Sequence, residues 1–284
     1  MERELSPAQS ARRSIGKKYR KEIWNPFVEA VKRYRLIEEG DKIAVCVSGG
    51  KDSMLLAVAL DMLRQFTEIP FSLSFLSMDP GYSEENRRRL EENAALLEVP
   101  VRVFETNVFR VANNTEKSPC YLCARMRRGH LYAEAQKLGC NKIALGHHFN
   151  DVIETTVMSM FFGAQLQGMI PKLRSGNFPG MELIRPLYCV HEDAVIAWAR
   201  YNDLHFLQCA CAFTERAEDG APGVSKRQEV KELLRTLRQD NPDIEKSIFR
   251  SLHAVCIDTF PGYKTGGEAH SFLERYSDAP ESRE

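Results

Sequence analysis

An α/β fold with a doubly wound parallel sheet, extended by helices at both ends, is what this sequence predicts, and three observations carry the prediction. Strand-like and helix-like runs follow one another in a repeated β-then-α order, which implies a parallel sheet wrapped on both faces. The first strand-like run ends in a tight glycine turn that opens an apolar helix. The 284 residues, 43% hydrophobic and 27% charged, supply core enough for one large α/β domain with extensions. The expected organisation is a basic helical extension over 1–39, the α/β domain over 40–214, a loop and helical region over 215–275, and a disordered tail over 276–284.

In chain order, 15–37 reads as one or two helices with Pro26 at a restart, before Glu39-Gly40-Asp41 turns into a buried strand at 43–47. After the glycine turn and the apolar run 54–60 come a strand over 71–78, an amphipathic helix over 83–97 and a strand over 101–104. A polar connection over 107–119 leads to a helix over 121–138, a strand over 142–145 that runs into Gly146-His147-His148, and a helix over 150–162. Glycine and proline enrich 163–180, which reads as an irregular loop. A short strand at 182–184, a helix over 193–201, a strand through 206, an exposed loop at 215–223 and a charged amphipathic helix over 225–238 follow, and no internal repeat is present.

The chemistry begins at Ser48-Gly49-Gly50-Lys51-Asp52-Ser53. Adjacent glycines let backbone N–H groups approach a ligand, and the helix that follows aims its positive dipole end and unpaired amides at the same spot. That geometry wants a phosphate. Lys51 adds a mobile positive charge, Ser48 and Ser53 offer hydroxyl donors, and Asp52 suits a magnesium ion or a helix cap. The GxxxxGK[ST] spacing is absent, so this is not a Walker A loop. In such a sheet ligands sit at the carboxyl ends of the strands, where the glycine loop, Asp79 and Gly146-His147-His148 all fall.

A formal net charge of zero gives no whole-molecule argument for nucleic acid, but the distribution does. Arg12, Arg13, Lys17, Lys18, Arg20 and Lys21 lie together without an acidic residue, Arg125, Arg127 and Arg128 form a second basic knot, and Lys172 and Arg174 are further phosphate contacts in the 163–180 loop. The amino-terminal residues contain no apolar stretch of signal-peptide length, and no window approaches the roughly 20 apolar residues of a membrane span. A cytoplasmic location is expected, where eight cysteines argue for metal or sulfur chemistry over a disulfide framework. Cys120 and Cys123 stand in a CxxC at a helix start, whose dipole favours thiolate. That pair fits a redox couple, half of a zinc site or part of an iron-sulfur cluster. Cys209-Ala210-Cys211 is a second sulfur-rich point, and Cys46, Cys140, Cys189 and Cys256 read as packing residues.

The hexapeptide at 48–53 resembles the pyrophosphate loop of the N-type ATP pyrophosphatases, which cleave ATP to AMP and pyrophosphate while activating a carbonyl oxygen as an adenylate. Pro119-Cys120-Tyr121-Leu122-Cys123, Arg127-Arg128-Gly129, Leu145-Gly146-His147-His148-Phe149-Asn150-Asp151 with Glu154-Thr155, Pro171-Lys172-Leu173 and Ile184-Arg185-Pro186-Leu187 follow in order. Over 42–238 this set resembles the tRNA 2-thiocytidine synthetase family. The resemblance implies an adenine nucleotide alpha-hydrolase-like (PP-loop) sheet, ATP and Mg²⁺, a [4Fe-4S] cluster on three cysteines, and thiolation of cytidine in a tRNA anticodon loop. Carried onto this chain, it makes Ser48, Gly49, Gly50, Lys51, Asp52, Ser53, Met78, Asp79, Gly146 and His147 the ATP-binding set. Cys120 and Cys123 become cluster ligands with Cys209 or Cys211 as the third, Cys211 being favoured. Asp151, Lys51, Cys120 and Cys123 become catalytic, and Arg12, Arg13, Lys17, Lys18, Arg127, Arg128 and Lys172 face RNA.

A sulfur donor such as a cysteine desulfurase or free sulfide, and a homodimer, come with the same resemblance. Two positions depart from the family pattern: CxC replaces CxxC at 209–211, and Asn150 precedes Asp151 where relatives carry two aspartates. Asn150 can hydrogen-bond but cannot act as a base. Three alternatives stay open: a cluster-free persulfide relay, a PP-loop ligase that attaches an amine, and a non-catalytic nucleotide or redox sensor.

Overall fold

Strands β1 (Lys42–Cys46), β2 (Ser72–Asp79), β3 (Val101–Glu105), β4 (Lys142–Ala144), β5 (Lys172–Arg174) and β6 (Glu182–Ile184) form one sheet in the order β3-β2-β1-β4-β6-β5. The computed structural model describes residues 5–109, 119–207 and 226–276, and of 119–124 the backbone alone. Within this sheet every strand pair is parallel except β5 with β6. The chain steps from β1 to β2 and β3 on one side, then returns to place β4 on the other. A crevice therefore opens at the carboxyl ends of β1 and β4.

Strand β1 shows how one short sequence feeds two cores. Ile43, Val45 and Val47 join a cluster with Leu56 of α3 (Lys51–Phe66), Ile15 of α1 (Pro7–Gly16) and Trp198 of α7 (Glu192–Tyr201). Ala44 and Cys46 join a second cluster with Tyr132 and Ala135 of α5 (Pro119–Lys137). The period of two sends alternate side chains to opposite faces, and each fully buried Ile or Leu contributes about 1.5–3 kcal/mol of apolar transfer. Helices α4 (Glu84–Leu96) and α6 (Phe149–Gly163) complete the β-then-α alternation.

The amino-terminal region packs on the first core. Ser6 caps α1 in a capping box with Gln9, the helix enters through Pro7, and Trp198 Nε1 donates to the Ala11 carbonyl at 3.3 Å. A π-helical turn at Arg20–Trp24 leads to α2 (Asn25–Arg33), whose first turn holds Pro26, where no amide donor is required. Ile23 and Phe27 are fully buried.

Two expectations require correction. The 163–180 stretch holds an edge strand, β5, antiparallel to β6 with Leu173 opposite Leu183. Three residues carry no readable period, so only pairing with β6 defines it. The strand expected through 206 is absent: 204–207 is irregular, Leu207 N–H donates to the Gly49 carbonyl at 3.1 Å, and Asn93 Nδ2 donates to the His205 carbonyl at 3.0 Å. Its polar backbone is satisfied by the glycine loop and α4, so buried Leu204 and Leu207 mimic a strand without a sheet partner.

The chain divides into two compact units, Met1–Glu232 and Leu233–Glu284. Helix α8 (Lys226–Asp240) carries the chain from one to the other. The second unit contains α9 (Ile244–Ser251), an antiparallel hairpin of β7 (Gly262–Thr265) and β8 (Glu268–Ser271), and α10 (Leu273–Tyr276). No described helix is long and apolar enough to cross a membrane.

Candidate active site

The glycine loop leaves β1 and turns sharply into α3. Gly49 has φ +82°, and a Cβ there would meet Leu207 Cδ1 at 2.6 Å. Both the backbone and the space exclude a side chain. Gly50 is the extended N-cap of α3 and supplies no side-chain cap, so the first-turn amides have no partner within the helix. Ser53 Oγ accepts from the Ser48 amide and hydroxyl, each at 3.1 Å, and donates to the Gly50 carbonyl at 2.9 Å. This side chain therefore fixes the loop's curvature. Gly146, just past β4, runs so close to α3 that a Cβ would lie 3.0 Å from the Asp52 carbonyl carbon and the Ser53 nitrogen.

Charge on this edge is arranged as a chain of alternating signs. Lys51 Nζ sits 3.0 Å from Asp52 Oδ2 and 3.0 Å from Glu192 Oε1. Burial opposes its charge, but Asp52 and Glu192 outweigh burial and hold the ammonium above its ordinary value. Glu192 opens α7 and also reaches Lys231 at 3.2 Å. Burial works against its carboxylate, yet Lys51, His148 and Lys231 bring it down to about 2. His148 caps α6: its Nδ1 accepts from the Asp151 amide at 3.3 Å, while Asp151 Oδ2 accepts from the His148 amide at 2.9 Å. Asp151 Oδ1 then meets Arg227 at 3.0 Å, and Arg227 Nε donates to the buried Glu154 at 2.8 Å. Burial disfavours the Asp151 carboxylate, but His148 and Arg227 keep it below the usual range.

A cavity of about 510 Å³ meets this chain of charges at Asp52 and Asp151, while Gly49, Lys51, His148, Glu192 and Arg227 stand outside its wall. Ser48, Gly50, Asp52, Ser53, Met78, Gly146, His147 and Asp151 line it, together with Arg185 and with Arg127 and Arg128 from α5. Among the described residues, three polar atoms in this wall are buried without a hydrogen-bond partner, Asp52 Oδ1, His147 Nδ1 and Arg185 Nε. Burial pushes His147 down to about 4, with Asp151 opposing and Arg185 and Arg227 adding to the shift. An uncapped helix start, two serines and a carboxylate oxygen without a hydrogen bond, with Lys51 beside the wall, suit a polyphosphate with a divalent cation. No group of three or more His, Cys, Asp or Glu among the described residues is arranged as a self-sufficient metal site.

Other predicted residues lie elsewhere. Asp79 is buried, and its Oδ1 accepts from the Gly81 and Tyr82 amides at 2.8 and 2.7 Å, so its carboxylate holds a turn outside the cavity wall. Arg12 pairs with Asp61 and Glu98 at 3.2 and 3.3 Å. Arg13 and Lys17 are exposed on and beside α1, and Lys18 stands over the Tyr201 ring. Lys172 donates to the Arg35 carbonyl and pairs with Glu182 at 3.2 Å. Cys120 and Cys123 fall at the start of α5, while Cys209 and Cys211 lie outside the described residues. Cys46 and Cys140 are buried as expected of packing residues, and burial lifts Cys46 to about 12. Cys256 is exposed, contrary to that expectation, because it follows α9 in a short irregular stretch before a 3₁₀ turn.

Sequence reasoning missed Glu192, Arg227 and Lys231. Glu192 reads as an acidic first-turn residue of a helix, and the two cations read as the solvated face of a charged one. The available signal was their i, i+4 spacing, which puts Arg227 and Lys231 on one face.

The PP-loop domain family matches residues 18–212. A tRNA-cytidine(32) 2-sulfurtransferase of Geotalea uraniireducens is 36% identical over 237 residues, spanning 82% of this chain and 91% of the relative. Another with the same name from Geobacter metallireducens is 37% identical over 243 residues, spanning 84% and 91%. The chain belongs to this family. It is thereby a transferase built on an ATP-utilising PP-loop domain. Among solved structures, the U34-tRNA thiolase NcsA from Methanococcus maripaludis with its [4Fe-4S] cluster superposes with a TM-score of 0.65 at 20% identity, covering 85% of this chain and 80% of that one. That likeness bears on the fold, which the family and the thiolase share.

Proposed function

We propose that this sulfurtransferase thiolates a tRNA cytidine at C2, forming AMP and pyrophosphate from ATP. The support is a single cavity walled both by the glycine loop and by Arg127 and Arg128 of the helix that bears Cys120 and Cys123. The pyrophosphate end of ATP lies against the first-turn amides of α3, Ser48 and Ser53, with the adenosine toward Met78. Lys51 exchanges Glu192 and Asp52 for phosphate oxygens. The cytosine O2 attacks the α-phosphorus, the bond to the β-phosphate breaks and pyrophosphate leaves, its charge held by Lys51 and the helix dipole. A sulfur nucleophile then attacks C2, the C2–O bond breaks and AMP departs with the oxygen. His147, neutral at pH 7 and with Nδ1 unpaired among the described residues, takes the proton of an incoming hydrosulfide.

Asp52 and Asp151 would hold Mg²⁺, which would neutralise phosphate charge. Cys120, Cys123 and Cys209 or Cys211 would hold a [4Fe-4S] cluster, which would supply an iron site for sulfur. Cytidine 32 as the target rests on the names of the relatives. A sulfur donor, a homodimer and a cytoplasmic location remain parts of this proposal.

The test is mass spectrometry of nucleosides from total tRNA of cells with and without the protein. Loss of 2-thiocytidine in its absence is expected. Loss of a different thiolated base would overturn the cytidine assignment, and an unchanged nucleoside profile would overturn the reading.

A further inference from the structure

A second cavity, about 550 Å³, adjoins the first and shares Arg128 and Leu183 with it. Arg125 and Arg128 enter from α5, and Arg174, Asn177 and Phe178 from β5 and the turn that follows. Among the described residues no acidic side chain lines it. Phe178 stacks on Tyr132 at 5.0 Å between ring centroids and 14° between planes, which makes a stiff floor with one face of each ring covered by the other. Three arginines without an acidic neighbour in the wall favour an anionic ligand. Glu182 reaches Arg174 only at 3.7 Å, and with 92% of its side chain accessible that arginine can turn toward an anion.

From this we infer that the second cavity grips the ribose-phosphate backbone next to the target nucleotide. A base must leave its stack to enter the first cavity, so the strand beside it needs a phosphate anchor within a nucleotide's reach. Arg128 stands in both walls and links the two. Arg174 takes the role expected of its β5 neighbour Lys172, which Glu182 holds at 3.2 Å, and Arg12 is held by Asp61 and Glu98. This grip on the backbone rests on the proposed action on tRNA.

The experiment measures affinity of the full chain for unmodified tRNA over a range of salt, with affinity for a non-hydrolysable ATP analogue in parallel. Arg125→Ala/Arg174→Ala is expected to weaken tRNA binding at least tenfold and to reduce the salt slope by about 1.4 to 1.8, the release expected of two lost phosphate contacts. Analogue affinity stays unchanged, since neither residue lines the first cavity and unchanged binding also reports a folded protein. Arg88→Ala/Arg89→Ala on α4 removes equal charge and is expected to leave the slope intact. Wild-type affinity and slope in the Arg125/Arg174 variant, or an equal loss in the α4 control, would overturn the site alone. Failure of the unaltered chain to bind any tRNA would overturn the underlying reading with it.

Discussion

His147 carries the plainest single-residue consequence. Its ordinary value of 6.5 falls to about 4 in the folded chain, chiefly through burial. Between those values the unfolded chain binds a proton that the folded one refuses, so stability declines as pH drops from 6.5 toward 4, by up to about 1.4 kcal/mol per pH unit. Glu192 adds a later stage. Its folded value of about 2 lies below its ordinary 4.5, so its stabilisation is complete above about 4.5 and is lost as pH falls toward 2. Urea denaturation at intervals from pH 7 to 4 should show the first decline in the wild type and a flatter profile in His147→Gln. Parallel profiles would mean that His147 is open to protons in the folded chain. The sequence offered Gly146-His147-His148 as a strand end; that His148 caps α6 while His147 faces the cavity depends on which ring the following turn buries.

At the level of elements, the first half of α8 is joined to α6 and α7 by ions. Glu154 is buried on α6, where desolvation raises its pKa while Lys231 and Arg227 oppose the rise. Removing Arg227 leaves that carboxylate with Lys231 at 3.7 Å as its remaining described cation. Arg227→Ala is expected to cost about 2 kcal/mol at pH 7, less than a fully orphaned buried charge. The loss should shrink as pH falls, because burial already favours the protonated form of Glu154, and Glu154→Gln in the same chain should restore part of it. A double-mutant cycle by chemical denaturation checks both, and strict additivity would show that the two residues do not interact. The helix itself was legible at 225–238 from its charged periodicity, and its boundaries agree closely with Lys226–Asp240. Its partner elements were not, because side chains 39 to 76 residues apart leave no local pattern.

For the molecule as a whole, the proposed function places ATP chemistry and sulfur chemistry on separate elements of one sheet edge. The groups proposed to face phosphate come from the loop after β1 and from α3, whereas Cys120 and Cys123 come with α5. Cys120→Ala is therefore expected to abolish iron binding while leaving ATP-analogue affinity within about twofold, a shift below roughly 0.4 kcal/mol. Iron content and calorimetric titration decide it, and joint loss would mean that the cysteine maintains the fold. The amino-terminal helices belong to the same architecture: Ile15, Ile23 and Phe27 fill the core over α3 and α7, and Arg12 spans Asp61 and Glu98. A basic run that reads as a nucleic-acid patch is thus partly a structural clamp.

What the sequence by itself determined was the set of local events. A buried five-residue run, two glycines and an apolar helix can make only a strand, a sharp turn and an open helix start, and the β-then-α order leaves few ways to arrange a parallel sheet. Tertiary structure decided which charges meet: Glu192 on Lys51, Arg227 between Asp151 and Glu154, Asp79 withdrawn into its own turn, and 204–207 laid over Gly49 in place of a strand. Those outcomes depend on distances between segments far apart in the chain, where burial strengthens each ion pair and forces each backbone group to find a partner, and no local window of residues encodes them.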